Sequence, residues 1–283
     1  MQVCLSHIRE ELKEHYPPKE IEGLIRIIFK TVKNFTPTDL LMKKENILEE
    51  KDRAFIEKIV ERLQNYEPVQ YILGETDFFG LKFKVTKDVL IPRPETEELV
   101  DWIIRENRTP GLVILDAATG SGCIGISLKK FMNKARVTGC DLSDSALDIA
   151  KKNALLNQAD VSFFHHDLLS GQVPDSIPAL DLIVSNPPYI TNKEKRLMHD
   201  NVLKFEPHTA LFVPDNDPIR FYKGLAFLAK RKLKKGGKMY LEINESYGES
   251  CSSFFYDNGF DKIEIKKDIN GKERMMTARL GGI

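Results

Sequence analysis

Beyond Pro94 the sequence alternates short apolar, β-branched runs with stretches of helical period, and no other feature limits the fold so sharply. Strands are predicted at Leu112–Asp116, Val137–Asp141, Val161–His165, Leu180–Ser185, Met239–Ile243, Ile263–Lys267 and Arg274–Leu280. A helix at Glu95–Glu106 opens the alternation, and helices fall between most of the strands, notably Ser143–Leu156 and Ile219–Leu233. Alternation of this kind requires a parallel sheet covered on both faces and built by right-handed crossovers. The last two strands are separated only by Ile269-Asn270-Gly271-Lys272, which leaves no room for a helix, so they must form an antiparallel hairpin.

The start of the chain has a different period. Ile21, Leu24, Ile25, Ile28, Phe29 and Val32 recur at helical spacing behind Pro17 and Pro18, a place where proline can open a helix. Further helices are predicted around Ile8 and Leu12, from near Thr38, and through Phe55, Ile56, Ile59, Val60 and Leu63 until Asn65 and Pro68. After Gly74 the period turns to alternation, with Phe79, Leu81, Phe83 and Val85 on one side and Gly80, Lys82 and Lys84 on the other. Val89-Leu90-Ile91 is expected to complete a β-hairpin there. The expected organisation is a helical bundle over 1–73, a linking hairpin over 74–92 and an α/β domain over 93–283.

Composition narrows the function. The 283 residues hold 42 Lys+Arg against 42 Asp+Glu. The balance holds on both sides of residue 73, with 12 basic against 13 acidic residues up to it and 30 against 29 after it. Neither part has the excess that non-specific nucleic-acid binding uses. No run approaches the roughly 18 apolar residues of a membrane span. Cys4, Cys123, Cys140 and Cys251 are scattered, with neither a zinc spacing nor a disulfide framework. A cytoplasmic protein with reduced thiols is expected.

Three strand ends carry ligand chemistry. The first predicted strand runs into Ala118-Thr119-Gly120-Ser121-Gly122, where glycines allow a ligand close to the backbone at a strand's carboxyl end. The second ends in Asp141, whose carboxylate can accept from both hydroxyls of a ribose. The third leads to Asp167 and Leu168, an acceptor for an exocyclic amine and an apolar cover for a ring. In strand order these features point to S-adenosylmethionine, with S-adenosylhomocysteine as product. A sheet of seven strands ending in an antiparallel hairpin is the architecture of the class I methyltransferases.

The fourth strand ends in Asn186-Pro187-Pro188-Tyr189. The prolines lack N–H donors and leave carbonyl acceptors, Asn186 adds a side-chain oxygen, and Tyr189 adds a ring on which a planar group can stack. This is a grip for an NH2 group. It serves methyltransferases acting on adenine N6, cytosine N4 and glutamine side chains alike, so it specifies the reaction and leaves the substrate open.

Nearly the whole chain resembles the HemK-type release-factor glutamine methyltransferases. The resemblance is carried by Pro68-Val69-Gln70-Tyr71-Ile72-Leu73-Gly74, by Phe79-Gly80-Leu81-Lys82-Phe83, and by Val89-Leu90-Ile91-Pro92-Arg93-Pro94-Glu95-Thr96-Glu97. Phe205-Glu206-Pro207, Ala210-Leu211 and Asn270-Gly271-Lys272-Glu273-Arg274 add to it. It implies methyl transfer to the amide nitrogen of the Gly-Gly-Gln glutamine in peptide chain release factors, with Asn186, Pro187, Pro188, Tyr189 and Leu90 around that glutamine. It also implies that the helical domain helps dock the release factor and that nucleic acid is not the substrate. Two sites depart from the family pattern: Ala118 stands for a glycine, and Asn244 and Tyr247 stand for Gly and Gln. The rival readings are an amino methyltransferase acting on nucleic-acid bases and a cofactor-binding scaffold without catalysis.

The remaining candidates read as structural. His165 and His166 are adjacent on a strand and point to opposite faces. The basic run Lys230 to Lys235 complements a helix C-terminus. Trp102 belongs to the core, and Arg93 and Glu95 form a local ion pair.

Overall fold

The computed structural model describes residues 1–42 and 47–281. Two compact units emerge, one formed by Met1–Glu75 with His199–Phe205, the other by Thr76–Met198 with Glu206–Ile283.

The first unit contains helices Gln2–Leu12, Pro18–Lys33, Pro37–Met42, Glu50–Gln64 and Val69–Leu73. Pro18 occupies the first helical position of the second, where its missing N–H costs nothing, and Asn34 ends that helix in the left-handed region at φ 54°. Ile8, Leu12, Ile28, Phe29, Ile59 and Leu63 are fully buried between the helices. The helix Val69–Leu73 lies beyond the predicted stop at Pro68, which caps it. Phe55, expected on the apolar face, is 45% exposed.

The second unit is built on a sheet whose strands are β1 (Val113–Ala117), β2 (Arg136–Asp141), β3 (Val161–His165), β4 (Leu180–Ser185), β5 (Leu233–Glu242), β6 (Phe260–Lys267) and β7 (Glu273–Leu280). Their order is β6-β7-β5-β4-β1-β2-β3. β7 runs antiparallel to both neighbours and the other pairs are parallel. Burial on both faces follows from the pleat. In β1, Val113, Leu115 and Ala117 enter one core with Tyr222, Leu225 and Phe255, whereas Ile114 enters another with Leu99, Ile103 and Leu128. β5 begins six residues before the expected Met239, because Leu233 already pairs with Leu180 of β4 and the ladder resumes at Lys238 opposite Leu182, with the register shift between them. The order reverses at β1, which has β2 on one side and β4 on the other, the switch point at which open sheets bind ligands.

The hairpin departs from expectation. Its strands are Glu75–Phe78 and Leu81–Lys84, joined at Phe79 and Gly80 with φ 49° and 74°, the two positive angles of a tight two-residue turn. Val89-Leu90-Ile91 is not a strand. Val89 and Ile91 are buried, the Val89 N–H donating to the Thr86 carbonyl at 3.1 Å in a turn, and three apolar residues in a row cannot distinguish such a turn from a ladder.

Candidate active site

The carboxyl ends of β1, β2 and β4, the loop after β3 and the segment Asp88 to Thr96 enclose a cavity of about 350 Å³, within the range of small-ligand sites. Of the residues expected around cofactor and substrate, it is lined by Leu90, Ala118, Thr119, Gly120, Ser121, Asp141, Asp167, Leu168, Asn186 and Pro188. Three others stand outside the lining. Gly122 has φ 81°, and a Cβ there would come within 2.9 Å of Ile126 and 3.2 Å of Ala150, so its bareness serves helix packing. Pro187 is buried, and Tyr189 is engaged with β5 and β7.

The glycine loop is held from both sides. Asp141 Oδ2 accepts the Gly120 N–H at 2.8 Å, and Oδ1 accepts the Ser143 N–H at 3.0 Å. The carboxylate keeps acceptor capacity for a further donor. Burial raises this carboxyl above its ordinary value, against backbone donors at Ser143, Gly120 and Leu142 that lower it. Beneath the loop, Asp116 Oδ2 accepts both the Thr119 hydroxyl at 2.6 Å and the Gly125 N–H at 2.8 Å. Gly125 admits that approach, since a Cβ would lie 2.9 Å from the same oxygen. Ala118 is held at φ 55°, a left-handed conformation that a glycine adopts without strain and an alanine does not.

Part of the lining is apolar. Leu168, buried against the helix Arg220–Lys232, and Phe221 from that helix both reach the cavity, and Leu168 packs so closely that a Cβ on Gly224 would meet its carbonyl at 2.4 Å. Asp167 Oδ1 accepts the Leu169 N–H at 2.8 Å, which sets the loop after β3. His166 also lines the cavity, and burial lowers its pKa toward the neutral ring. His165 turns away to Asp144 at 3.0 Å. Cys123 lines the cavity too, but burial pushes its thiol up to about 12, so it is no nucleophile.

Sequence reasoning missed the network behind Asn186. Ser185 Oγ donates to the Ala117 carbonyl at 2.6 Å and locks the end of β4 to β1. Asn186 Nδ2 then donates to Thr96 Oγ1 at 3.2 Å, Thr96 donates to Glu242 Oε2 at 2.6 Å, and Tyr189 donates to Glu242 Oε1 at 2.8 Å. Arg274 Nη1 reaches the Tyr189 hydroxyl at 3.4 Å and is itself paired with Asp268 at 3.3 Å. Glu242 is 2% exposed, and burial raises its pKa against the hydroxyl donors and Arg274. A charged residue inside the apolar run Met239 to Ile243 was the available signal, because burial of a lone carboxylate costs too much to occur unpaired.

Arg93 pairs with Glu206, 113 positions away, at 2.6 Å, and not with Glu95; it also lines the cavity. Glu95 receives the Asn270 side chain at 3.3 Å instead. Asn244, one of the two departures from the family pattern, is buried and donates to the Tyr189 carbonyl at 3.1 Å and to Glu194 at 3.0 Å, bracing the turn after Tyr189.

Comparison with known proteins agrees with this architecture. The model of the PrmC N-terminal domain matches residues 4–74, and that of the methyltransferase small domain matches residues 99–206. The release factor glutamine methyltransferase of Flavobacterium psychrophilum is 44% identical over 271 residues, 94% of each chain. That of Bacteroides thetaiotaomicron is 44% identical over 275 residues, 96% of this chain and 98% of its own. The chain belongs to the release factor glutamine methyltransferases. Solved methyltransferases share its fold. One from Pyrococcus furiosus is 18% identical with a TM-score of 0.54, covering 83% of this chain and all of that one. The catalytic domain of hMettl16 is 14% identical with a TM-score of 0.53, covering 82% of both chains.

Proposed function

We infer that this protein transfers a methyl group from S-adenosylmethionine to the side-chain amide nitrogen of the glutamine in the Gly-Gly-Gln motif of peptide chain release factors. The observation that carries the reading is Asn186 on the wall of the same cavity as Asp141 and the glycine loop, so that an acceptor for an amide and a site for a nucleoside share one chamber.

The cavity fits the cofactor. Asp141 keeps acceptor capacity toward the ribose hydroxyls, Leu168 and Phe221 offer apolar surface to a base, and Asp167 offers an acceptor for its amine. Ala118, Thr119, Gly120 and Ser121 bound the amino-acid portion. When bound, S-adenosylmethionine supplies an electrophilic methyl group on a sulfonium.

The chain supplies position. An amide nitrogen is a weak nucleophile because its lone pair is delocalised into the carbonyl. Asn186 Oδ1 and the Pro187 carbonyl accept its two hydrogens, orient it and enrich it in electron density, while Pro188 and Leu90 bound the space around it. Tyr189 backs the grip from β5 and β7. No base is required before transfer, because the nitrogen becomes acidic once methylated. The helical domain docks the body of the release factor.

Incubation with radiolabelled S-adenosylmethionine and either a release factor or duplex DNA tests the reading. Label on the Gly-Gly-Gln glutamine and none on DNA is the expected result; label on DNA alone would overturn it.

A further inference from the structure

We infer that Thr96 and Glu242 are positioning residues that present the oxygen of the Asn186 side chain, and not its nitrogen, to the substrate, and thereby make the site accept an amide and refuse a carboxylate. This rests on the reading of the protein as a glutamine-amide methyltransferase.

The two ends of an asparagine amide are alike in size, so its orientation is decided by the hydrogens and lone pairs it faces. Glu242 is buried and its two oxygens accept the hydroxyls of Thr96 at 2.6 Å and Tyr189 at 2.8 Å. Thr96 has a single hydroxyl hydrogen, and Glu242 takes it. What Thr96 turns toward Asn186, 3.2 Å away, is a lone pair. Only the NH2 end of Asn186 can meet a lone pair. Its oxygen is left for the cavity that Asn186 and Thr96 both line. Thr96 itself is 2% exposed, so no water replaces it in this chain of bonds.

The consequence is a choice between two groups of nearly the same shape. A primary amide brings two hydrogens to the two acceptors of the grip, Asn186 Oδ1 and the Pro187 carbonyl. A glutamate side chain brings lone pairs and a negative charge to the same acceptors and is repelled. Were Asn186 reversed, its NH2 would welcome the carboxylate. A buried hydrogen-bonding site discriminates strongly against a ligand that leaves its groups unpaired.

The test compares the full-length protein with Thr96→Val and Thr96→Ser, using a release factor as substrate. Two loop peptides serve as competitors, one with Gly-Gly-Gln and one with Gly-Gly-Glu. The unsubstituted protein is expected to bind the glutamate peptide about a hundredfold or more weakly than the glutamine peptide. Thr96→Val, which keeps the shape and loses the hydroxyl, should lower kcat about tenfold or more, keep cofactor affinity within about twofold, and narrow the preference between the peptides about tenfold. Thr96→Ser should restore kcat and preference to within about threefold. Equal binding of the two peptides by the unsubstituted protein overturns the inference, whatever the variants do. So does a Thr96→Val variant with unchanged kcat and preference, or a Thr96→Ser variant as impaired as Thr96→Val. Failure of the unsubstituted protein to methylate the release factor overturns the functional reading and this inference together.

Discussion

The hydroxyl of Tyr189 lies 2.8 Å from Glu242 Oε1, joining residues 53 positions apart and tying the Asn-Pro-Pro-Tyr tetrapeptide to the buried carboxylate that also holds Thr96. The ring therefore cannot turn freely. Tyr189→Phe keeps an aromatic surface but leaves Glu242 one donor short in a buried place, so it should lower stability by about 1–3 kcal/mol in urea unfolding. Its kcat loss should be smaller than that of Tyr189→Ala, which removes the ring as well. Equal kcat losses would mean that the hydroxyl and not the surface matters.

Asn186→Ala removes the side-chain acceptor of the proposed amide grip. Methylation of a release factor should lose about a hundredfold in kcat, with cofactor affinity by calorimetry near that of the unsubstituted protein. Near-full turnover would exclude the amide grip.

Asp141 has two tasks, since it braces Gly120 and Ser143 and faces the cavity. Asp141→Ala should weaken S-adenosylmethionine by about 1.5–3 kcal/mol. Unchanged affinity would remove Asp141 from the ribose site.

Ala118 at φ 55° stores strain that a glycine would release. Ala118→Gly should raise stability by up to about 1 kcal/mol in thermal unfolding and leave cofactor affinity no worse. A loss of both would show that the loop depends on the alanine methyl.

Asp116 lies under the glycine loop, with one oxygen lacking any hydrogen-bond partner among the described residues, and burial raises its pKa from 3.8 to about 7. Because the folded value exceeds the unfolded one, its contribution to stability is full below pH 3.8, falls as pH rises through that window, and is lost above about 7. The stability difference between the unsubstituted protein and Asp116→Asn should therefore shift against the unsubstituted protein by roughly 2–4 kcal/mol between about pH 4 and about pH 8. A constant difference across that range would show that folding leaves the Asp116 pKa at its ordinary value.

The alternation of strand and helix beyond Pro94, the closing hairpin and the cavity-lining ends of β1, β2 and β4 were legible because each is written in neighbouring residues. A period of two or of 3.6 records which side of an element is buried, and a strand end followed by glycine or Asn-Pro-Pro-Tyr keeps its chemistry within a few positions. Val89-Leu90-Ile91 was misread for the converse reason: three consecutive apolar residues carry no period. Arg93 was paired with Glu95 because sequence offers only near neighbours, whereas Glu206 is 113 residues away. Thr96 and Glu242, 146 residues apart, gave no sign of each other. A hydrogen bond acts over about 3 Å, and which hydroxyl meets which buried carboxylate is settled only when helix Pro94–Glu106 packs against β5. The local sequence thus determined the elements and the kinds of groups at their ends, and tertiary packing decided which way those groups face.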